Sequence, residues 1–430
     1  MRKLPFPKYI VREKVTGDLF QKGDMSAPTI EPRLAAAHRL DDISFGKIVQ
    51  IREVLLRAQA AGARVIRFES GDPSFSVAPH VIEAVSAAAA AGKTHYVPND
   101  GIPELRKALA EKLRRKNGID DVQPTDVFVT NGAMHALHIV FGALLHPGDE
   151  VIIPDPMWTE VAENIRLAGG VPVRVPVRAV TDYVYDPENI AAVITPATRA
   201  IFVNTPHNPT GAVASRDALE AIVALARDND LWVVSDEAYE DVLYEPAVHH
   251  SAAALAGDWA DRVVSIFSFS KSHAMAGLRT GYVVTRAAVL QDRIQKLLRC
   301  TINGVNSLAQ WGALAAITGD QSHLPAMRAE YHKRRDILLA ALEDVPGIRP
   351  FTPRGAFYLW ADLDPGIYPR LGVSDAGGLS EQLAALGIGS APGDAFGVDC
   401  ADAIRFAFSC ATPMVVEGAY LLRASLLGDA

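Results

Sequence analysis

The chain has 430 residues, of which 49% are hydrophobic and 21% are charged, a composition typical of globular proteins. This length favours two domains over one. The net charge of −8 argues against a nucleic-acid partner, because binding to a phosphate backbone needs a basic face. No apolar run approaches the roughly 18 residues that indicate a membrane span, so we expect no membrane partner either.

The N-terminus and the cysteines bear on the cellular compartment. The first residues, MRKLPFPKYIVREK, are positively charged but contain no apolar core, so a secretory signal is not expected. Cys300, Cys400 and Cys410 form no CxxC pair and leave an odd count, which favours a reduced, cytoplasmic protein. The sequence contains no metal-site spacing, no Walker A motif and no GxGxxG, so we predict no metal and no classical nucleotide loop.

Three regions follow one another along the chain. Residues 1–42 contain several prolines and are predicted to form an irregular N-terminal extension. A helical pattern then runs through IVQIREVLLRAQAAG, with apolar residues spaced for one face. We predict a large domain over 79–322, and a smaller α+β domain made of 43–78 and 323–430.

The large domain alternates between short apolar runs and helical stretches. The strand-like runs are DVFVT, EVIIP, PVRVPV, RAIFVN, LWVVSD, RVVSIFSFS and GYVVT. Strands alternating with helices indicate right-handed βαβ units, and so an α/β fold with a mostly parallel central sheet covered on both faces. In the smaller domain, GAFYLWADL and AIRFAFSC read as alternating strands.

Polar, glycine or aromatic residues follow five of the predicted strands. The segments are NGAM, DPMW, TPHNPTG, DEAYE and SFSK, in chain order. In sheets of this kind ligands bind beyond the carboxyl ends of the strands. We therefore expect the five segments to converge on one crevice.

Lys271 follows a buried strand in the stretch SFSKSHAMAGLR. Burial disfavours an ammonium group and lowers its pKa, and a neutral amine can form a Schiff base with an aldehyde. For an isolated lysine the alternative is a packed stem with the amine in solvent. Here Arg279 and Ser268 lie close by, and with the amides of NGAM they suit a phosphate dianion. An aldehyde-seeking lysine beside a phosphate site suggests pyridoxal 5'-phosphate (PLP).

SFSKSHAMAGLRTGY resembles the S-x-S-K-x-x-x-M-x-G-x-R-x-G-Y segment of class I/II aminotransferases, the fold-type I PLP enzymes. The resemblance continues in the family's order through ESGDPSF, HYVPNDGIPELRKAL, VTNGAMHAL, PGDEVIIPDPMW, NTPHNPTG, VVSDEAYE and IRFAFS, and covers residues 43–425. It implies a PLP-dependent transferase of fold type I. The implied reaction is ping-pong transfer of an amino group between an L-amino acid and a 2-oxo acid.

The resemblance also implies roles for the residues that hold PLP. Lys271 would be the Schiff-base lysine and the base that moves the α-proton. Asp236 would pair with the pyridine nitrogen, and Trp158 would cover the ring. Asn208 and Tyr239 would hydrogen-bond the phenolic oxygen. The residues implied in phosphate binding are Gly132, Ala133, Met134, Ser268, Ser270 and Arg279.

Substrate binding and assembly follow from the same resemblance. Arg405 would clamp the substrate α-carboxylate, although a surface arginine is the alternative from the sequence alone. Gly71 would let the backbone approach that carboxylate, and Trp158 and Asn208 would also contact substrate. Tyr96 would reach the cofactor phosphate of a neighbouring subunit, which implies a homodimer.

Two questions stay open at this level. The substrate side chain would be recognised near Ser44–Lys47 and by a partner segment at Arg299–Asn306, but nothing separates aspartate, aromatic or specialised donors. A PLP β-lyase, decarboxylase or cyclising enzyme would share the scaffold. A non-catalytic amino-acid sensor is the remote alternative, and the extension shows no helix-turn-helix pattern that would favour it.

Overall fold

The computed structural model describes residues 37–41 and 43–428. The predicted extension over 1–42 therefore lies almost wholly outside the described residues. From Arg39 onward the described residues belong to one structural unit. Its helices are α1 (Lys47–Ala60), α2 (Pro79–Ala90), α3 (Pro103–Lys112), α4 (Gly132–Leu144), α5 (Thr159–Leu167), α6 (Pro187–Ala191), α7 (Arg216–Asp228), α8 (Ala252–Leu255), α9 (Phe269–Ser272), α10 (Ala288–Thr301), α11 (Ser307–Thr318), α12 (His323–Leu342), α13 (Ile367–Leu371), α14 (Ala376–Ala385) and α15 (Thr412–Leu427).

All seven predicted strands of the large domain are present and form one sheet. They are β1 (Val127–Thr130), β2 (Glu150–Asp155), β3 (Val171–Pro176), β4 (Thr198–Asn204), β5 (Trp232–Asp236), β6 (Val263–Ser268) and β7 (Gly281–Val284). The strand order is β1-β7-β6-β5-β4-β2-β3. The sixth predicted run extended to Ser270, but β6 ends at Ser268 because the Ser268 side chain accepts a hydrogen bond from the Ser270 amide and begins α9.

Strand direction brings the functional segments to one edge. Strands β2 to β6 pair in parallel, whereas β7 is antiparallel to both β6 and β1. Strand β1 therefore points the same way as β6. The carboxyl ends of β1, β2, β4, β5 and β6 consequently lie at the same edge of the sheet, as the sequence predicted.

Helices cover both faces of this sheet. In β4, Ile201 and Val203 pack in a cluster with Leu219 of α7. Phe202, which points to the other face, packs with Phe141 of α4. Since successive side chains of a strand alternate between the two faces, a strand buried on both sides reads as a continuous apolar run.

A second, smaller sheet is antiparallel. Its strands are β8 (Ile348–Pro350), β9 (Tyr358–Leu363), β10 (Ala391–Pro392) and β11 (Ala403–Ala407), in the order β10-β11-β9-β8. Leu338 of α12 and Leu422 of α15 belong to the same hydrophobic cluster as Phe406 of β11. Helix α1 packs on α14 through Leu55 and Ala384. The grouping of residues 43–78 with the C-terminal region stays a prediction. The domain boundaries themselves stay predictions.

None of the described helices combines the length and the apolar character that crossing a bilayer would demand.

Candidate active site

A cavity of about 380 Å³ lies at the carboxyl edge of the large sheet. Residues that follow the five converging strands line it, together with residues of β9 and β11 from the smaller sheet. The lining residues that matter below are Gly71, Ala133, Met134, Trp158, Glu160, Asn208, Asp236, Tyr239, Ser268, Ser270, Lys271, Arg279, Tyr358 and Arg405. The crevice expected from the sequence is therefore present.

Lys271 lies in α9, directly after β6. Its Nζ donates a hydrogen bond to the carbonyl oxygen of Gly71 at 2.7 Å. Burial lowers the pKa of this amine to about 8, an effect that the nearby Asp72 partly opposes. An amine with this pKa is substantially neutral near pH 8, so it can act as a nucleophile.

The start of α4 and Arg279 form an anion-binding corner. The first turn begins at Gly132 with no side chain capping it, so its amides are available to a ligand. Gly132 has φ +80°, and a Cβ there would lie 2.6 Å from Nη2 of Arg279. A glycine is thus required for the guanidinium to lie against the helix start. Gly132 itself lies behind the lining, whereas Ala133 and Met134 belong to it.

Asp236 ends β5 with its carboxylate buried. Burial raises its pKa to about 7, although the Ala238 amide, which donates to Oδ1 at 3.1 Å, opposes this. No cation of the described residues forms an ion pair with it. A cationic ligand group here would restore the ionised form.

Arg405, on β11, is only 3% exposed, so the alternative of a surface arginine is wrong. Nη1 donates to Oδ1 of Asn208 at 3.1 Å and Nη2 donates to the carbonyl oxygen of Glu69 at 2.7 Å. Nε is buried without a hydrogen-bond partner, and within the described part of the chain no carboxylate pairs with the guanidinium. Burial lowers its pKa. A buried guanidinium without a counter-ion is a site for an anion.

Two tyrosines of the cavity hydrogen-bond each other. The hydroxyl oxygens of Tyr239 and Tyr358 are 2.7 Å apart, and the Tyr358 ring also lies 4.5 Å from the Arg405 guanidinium carbon. A Cβ at Gly71 would lie 2.4 Å from the Tyr358 hydroxyl, so a glycine is needed there too. Sequence reasoning identified Tyr239 but missed Tyr358, because a tyrosine inside GAFYLWADL carries no signal beyond that of a strand.

Some expected residues lie outside this cavity in the single chain. Tyr96 is 90% exposed and borders a separate surface depression with residues 302–308. Arg299 is also exposed and outside. At the cavity mouth the wall consists of Ile48, Val49 and Arg52, about one helical turn beyond the expected Ser44–Lys47. Lys47 instead pairs with Asp394.

The residues of the cavity fit PLP. The half-buried amine of Lys271 suits its aldehyde, and the uncapped amides beside Arg279 suit its phosphate. The buried carboxyl of Asp236, which lacks a cation, suits a protonated pyridine nitrogen. Trp158, half-buried at the start of α5, supplies an apolar ring beside them. Groups of three residues or more that could hold a metal ion do not occur among the described residues.

Comparison with known proteins gives consistent matches. The sequence model of the family "Aminotransferase class I and II" matches residues 63–420. The aspartate/prephenate aminotransferase of Thermus thermophilus is 38% identical over 363 residues, which cover 84% of this chain and 91% of that protein. The arginine–pyruvate transaminase of Pseudomonas aeruginosa is 37% identical over 372 residues, which cover 86% of this chain and 92% of that protein. The structure of the Thermus thermophilus aspartate aminotransferase with maleate superposes with a TM-score of 0.85 at 34% identity, covering 91% of this chain and 99% of that one.

The fold and the site thus define a fold-type I, PLP-dependent enzyme. The chain belongs to the class I and II aminotransferase family. It is a PLP-dependent aminotransferase, which exchanges an amino group between an amino acid and a 2-oxo acid. The matches give no support to a β-lyase, decarboxylase, cyclising enzyme or sensor over this function.

The lowered pKa of Lys271 has a measurable consequence. We expect the rate at which the apoprotein binds pyridoxal to rise about tenfold per pH unit below pH 8 and to level off above it. The measurement is stopped-flow absorbance of the lysine-bound product. A rate that keeps rising towards pH 10, as for an ordinary lysine, would contradict this environment for the amine. The Lys271→Ala variant serves as the blank.

The contact between Gly132 and Arg279 predicts a second effect. Gly132→Ala should push the guanidinium from the anion corner and raise the Kd for PLP by about tenfold or more. Gly148→Ala is the matched control, because Gly148 has a similar φ of +88° but open space around its Cβ. Both variants carry the same type of backbone strain. Equal losses of PLP affinity in the two would show that strain alone is responsible.

Proposed function

We propose that the residues at this cavity form the catalytic site of the aminotransferase. They are Lys271, Asp236, Asn208, Tyr239, Trp158 and Arg405, together with a phosphate-binding group made of Gly132–Met134, Ser268, Ser270 and Arg279. One observation carries the proposal. A single cavity holds a half-buried lysine amine, a buried carboxyl and a buried guanidinium, and each lacks an ionic partner within the described part of the chain.

Lys271 has two tasks in this scheme. Bound PLP supplies an aldehyde for the amine and a ring that accepts electrons from the substrate α-carbon. Lys271 would hold the cofactor through its Nζ, and the same amine, when free, would take the proton from the substrate Cα. A pKa near 8 suits this task, because the base must be neutral close to physiological pH.

The other residues keep the reacting atoms in place. Asp236, fixed by the Ala238 amide, pairs with the ring nitrogen. Asn208 uses Oδ1 to accept from Arg405, so its Nδ2 is the end that donates to the phenolic oxygen, beside the Tyr239 hydroxyl. Trp158 covers the ring. These contacts orient the Cα–H bond towards Lys271, and orientation is a large part of such catalysis.

Arg405 binds the substrate α-carboxylate. Its Nε has no hydrogen-bond partner among the described residues, and its guanidinium carbon lies 4.5 and 4.8 Å from the ring centres of Tyr358 and Phe396. A carboxylate bound to this guanidinium would complete the hydrogen bonds of a buried cation. Such hydrogen bonds are stronger in a buried site than in water. Gly71 and Asn208 line the same cavity, and the side chain of Asn208 contacts Arg405 directly.

Assembly and domain organisation complete the proposal. We place the domain boundaries at 79 and 322 and propose a homodimer in which Tyr96 reaches the partner's cofactor phosphate. The 90% exposure of Tyr96, outside its own chain's cavity, supports this arrangement. A cytoplasmic location is supported by Cys300, Cys400 and Cys410, which are free thiols.

For the amino donor we propose a dicarboxylic amino acid. Arg52 lines the mouth of the cavity without an ion-pair partner among the described residues and would meet a distal carboxylate. Several relatives are named as aspartate aminotransferases, and that of Thermus thermophilus is named as an aspartate/prephenate aminotransferase.

A basic donor is the second candidate. Glu160 lines the cavity with Oε2 buried and unpartnered, and a cationic side chain would satisfy that oxygen. One relative is named as an arginine–pyruvate transaminase.

A donor panel separates these candidates. We expect L-aspartate to react faster than L-norleucine and L-arginine, and Arg52→Gln to lower kcat/KM for aspartate about tenfold while norleucine is unaffected. Glu160→Gln is the matched variant at another charged residue of the lining and should leave the reaction with aspartate unchanged. A preference for arginine that Glu160→Gln abolishes would establish the second candidate instead. Single-turnover loss of the lysine-bound absorbance is the measurement.

Two further variants test the residue roles. Lys271→Ala should lose both transamination and the lysine-bound absorbance, since no other amine lies in the cavity as described. Arg405→Gln should lower kcat/KM for every donor by about 100-fold or more, because the α-carboxylate is common to all. Activity of Lys271→Ala with an unchanged spectrum would contradict the proposal.

A further inference from the structure

A buried lysine outside the cavity contacts two of the strand ends that build it. Lys112, the last residue of α3, is 5% exposed. Its Nζ donates to Oε1 of Glu240 at 2.5 Å and to the hydroxyl of Tyr282 at 3.2 Å, and lies 4.5 Å from the centre of the Phe267 ring. None of these residues belongs to the active-site lining.

Glu240 is held firmly at its end of the pair. Its Oε2 accepts a hydrogen bond from Nδ2 of Asn117 at 2.8 Å, and Nζ of Lys116 lies 3.6 Å away. Burial raises the pKa of this carboxyl, but Lys112 and Lys116 together hold it below its usual range. Glu240 is therefore ionised, and its carboxylate has a fixed position relative to α3 and the following turn.

The two contacts of Lys112 lead to different parts of the cofactor site. Glu240 directly follows Tyr239 in the turn after β5, four residues beyond Asp236. Phe267 directly precedes Ser268 at the end of β6, four residues before Lys271. The amine of Lys112 thus lies between the segment that holds the cofactor ring and the segment that carries the covalent lysine.

We infer that Lys112 is a positioning residue, which sets the distance between the Asp236–Tyr239 turn and the β6–α9 turn. The inference rests on Lys271 being the cofactor lysine, as proposed above. A buried ion pair is weak support for stability, because desolvation offsets much of the attraction. The contacts of Lys112 with both turns are better explained if the buried amine fixes the position of one turn relative to the other.

Lys116 offers a matched control. It pairs with Asp241 at 2.5 Å and lies near the same Glu240, but its side chain is 36% exposed and no contact with Phe267 or Tyr282 is made. Lys116→Met removes a cation from the same acidic turn without touching β6. Lys112→Met removes a cation that contacts both segments and leaves a side chain of similar length.

The test compares PLP with pyridoxamine 5'-phosphate, which has the same ring and phosphate but no aldehyde to join to Lys271. We expect Lys112→Met to raise the Kd of PLP at least tenfold and that of the pyridoxamine form less than threefold. Both forms would contact Ser268 and Ser270 through the phosphate, but only PLP also forms a covalent bond with Lys271, and a covalent bond tolerates less displacement between the two turns. Lys112→Arg should recover most of the PLP affinity, and Lys116→Met should bind both forms like the wild type. The Kd values come from fluorescence titration of the apoproteins.

Two results would overturn the inference. Equal losses for the two cofactor forms would show that Lys112 does not position Lys271 for its bond with the aldehyde, and no loss would show that the ion pair is purely structural. If Lys112→Met does not fold, the Kd values of the two cofactor forms are compared in Glu240→Gln, which removes the charge of Glu240 and keeps the shape of its side chain. A wild-type protein that binds both forms equally, without a lysine-bound absorbance, would refute Lys271 as the cofactor lysine rather than the role of Lys112.

Discussion

The active site depends on charged groups that are buried without an ionic partner. Among the described residues, Lys271 has a carbonyl acceptor but no carboxylate in contact, and the Nε of Arg405 has no hydrogen-bond partner. Asp236 has a backbone donor but no cation in contact within the same residues. An unsatisfied buried polar group costs about 1–3 kcal/mol, and a charged one costs more. In the proposed site, an aldehyde, a pyridinium and a carboxylate would together supply the partners that Lys271, Asp236 and Arg405 lack.

The large hydrophobic clusters around the main sheet offset the free-energy cost of these buried groups. Buried apolar strands place the polar residues at one edge, where the parallel direction of β1, β2, β4, β5 and β6 brings their ends together. The smaller sheet then closes the cavity from another side, with Tyr358 from β9 and Arg405 from β11. The cavity is thus assembled from segments far apart in the chain, and the burial that shifts each pKa is a property of the whole fold.

Much of this could be predicted from the sequence, and for a physical reason. The seven strands read as continuous apolar runs because both faces of the sheet are covered. Asp236 and Lys271 are conspicuous because Asp236 ends one of these runs and Lys271 follows another. Tyr358, Glu160 and Arg52 could not be found this way, since a tyrosine in a strand and charges on helices have ordinary structural explanations. Only the tertiary structure places them in the cavity. The rotation of α1 about its axis determines which of its residues line the mouth of the cavity. For this reason Arg52 lies there and Ser44–Lys47 do not. Gly132 was expected as an amide donor, and the structure adds that its missing side chain makes room for Arg279.

The central claim is that Lys271 carries the cofactor, and one measurement tests it most directly. Holoenzyme reduced with borohydride and digested should yield a single peptide with the mass of the reduced cofactor, and fragmentation should place that mass on Lys271. A mass on another lysine, including the buried Lys112, or the absence of any labelled peptide from a protein that binds PLP, would contradict the account.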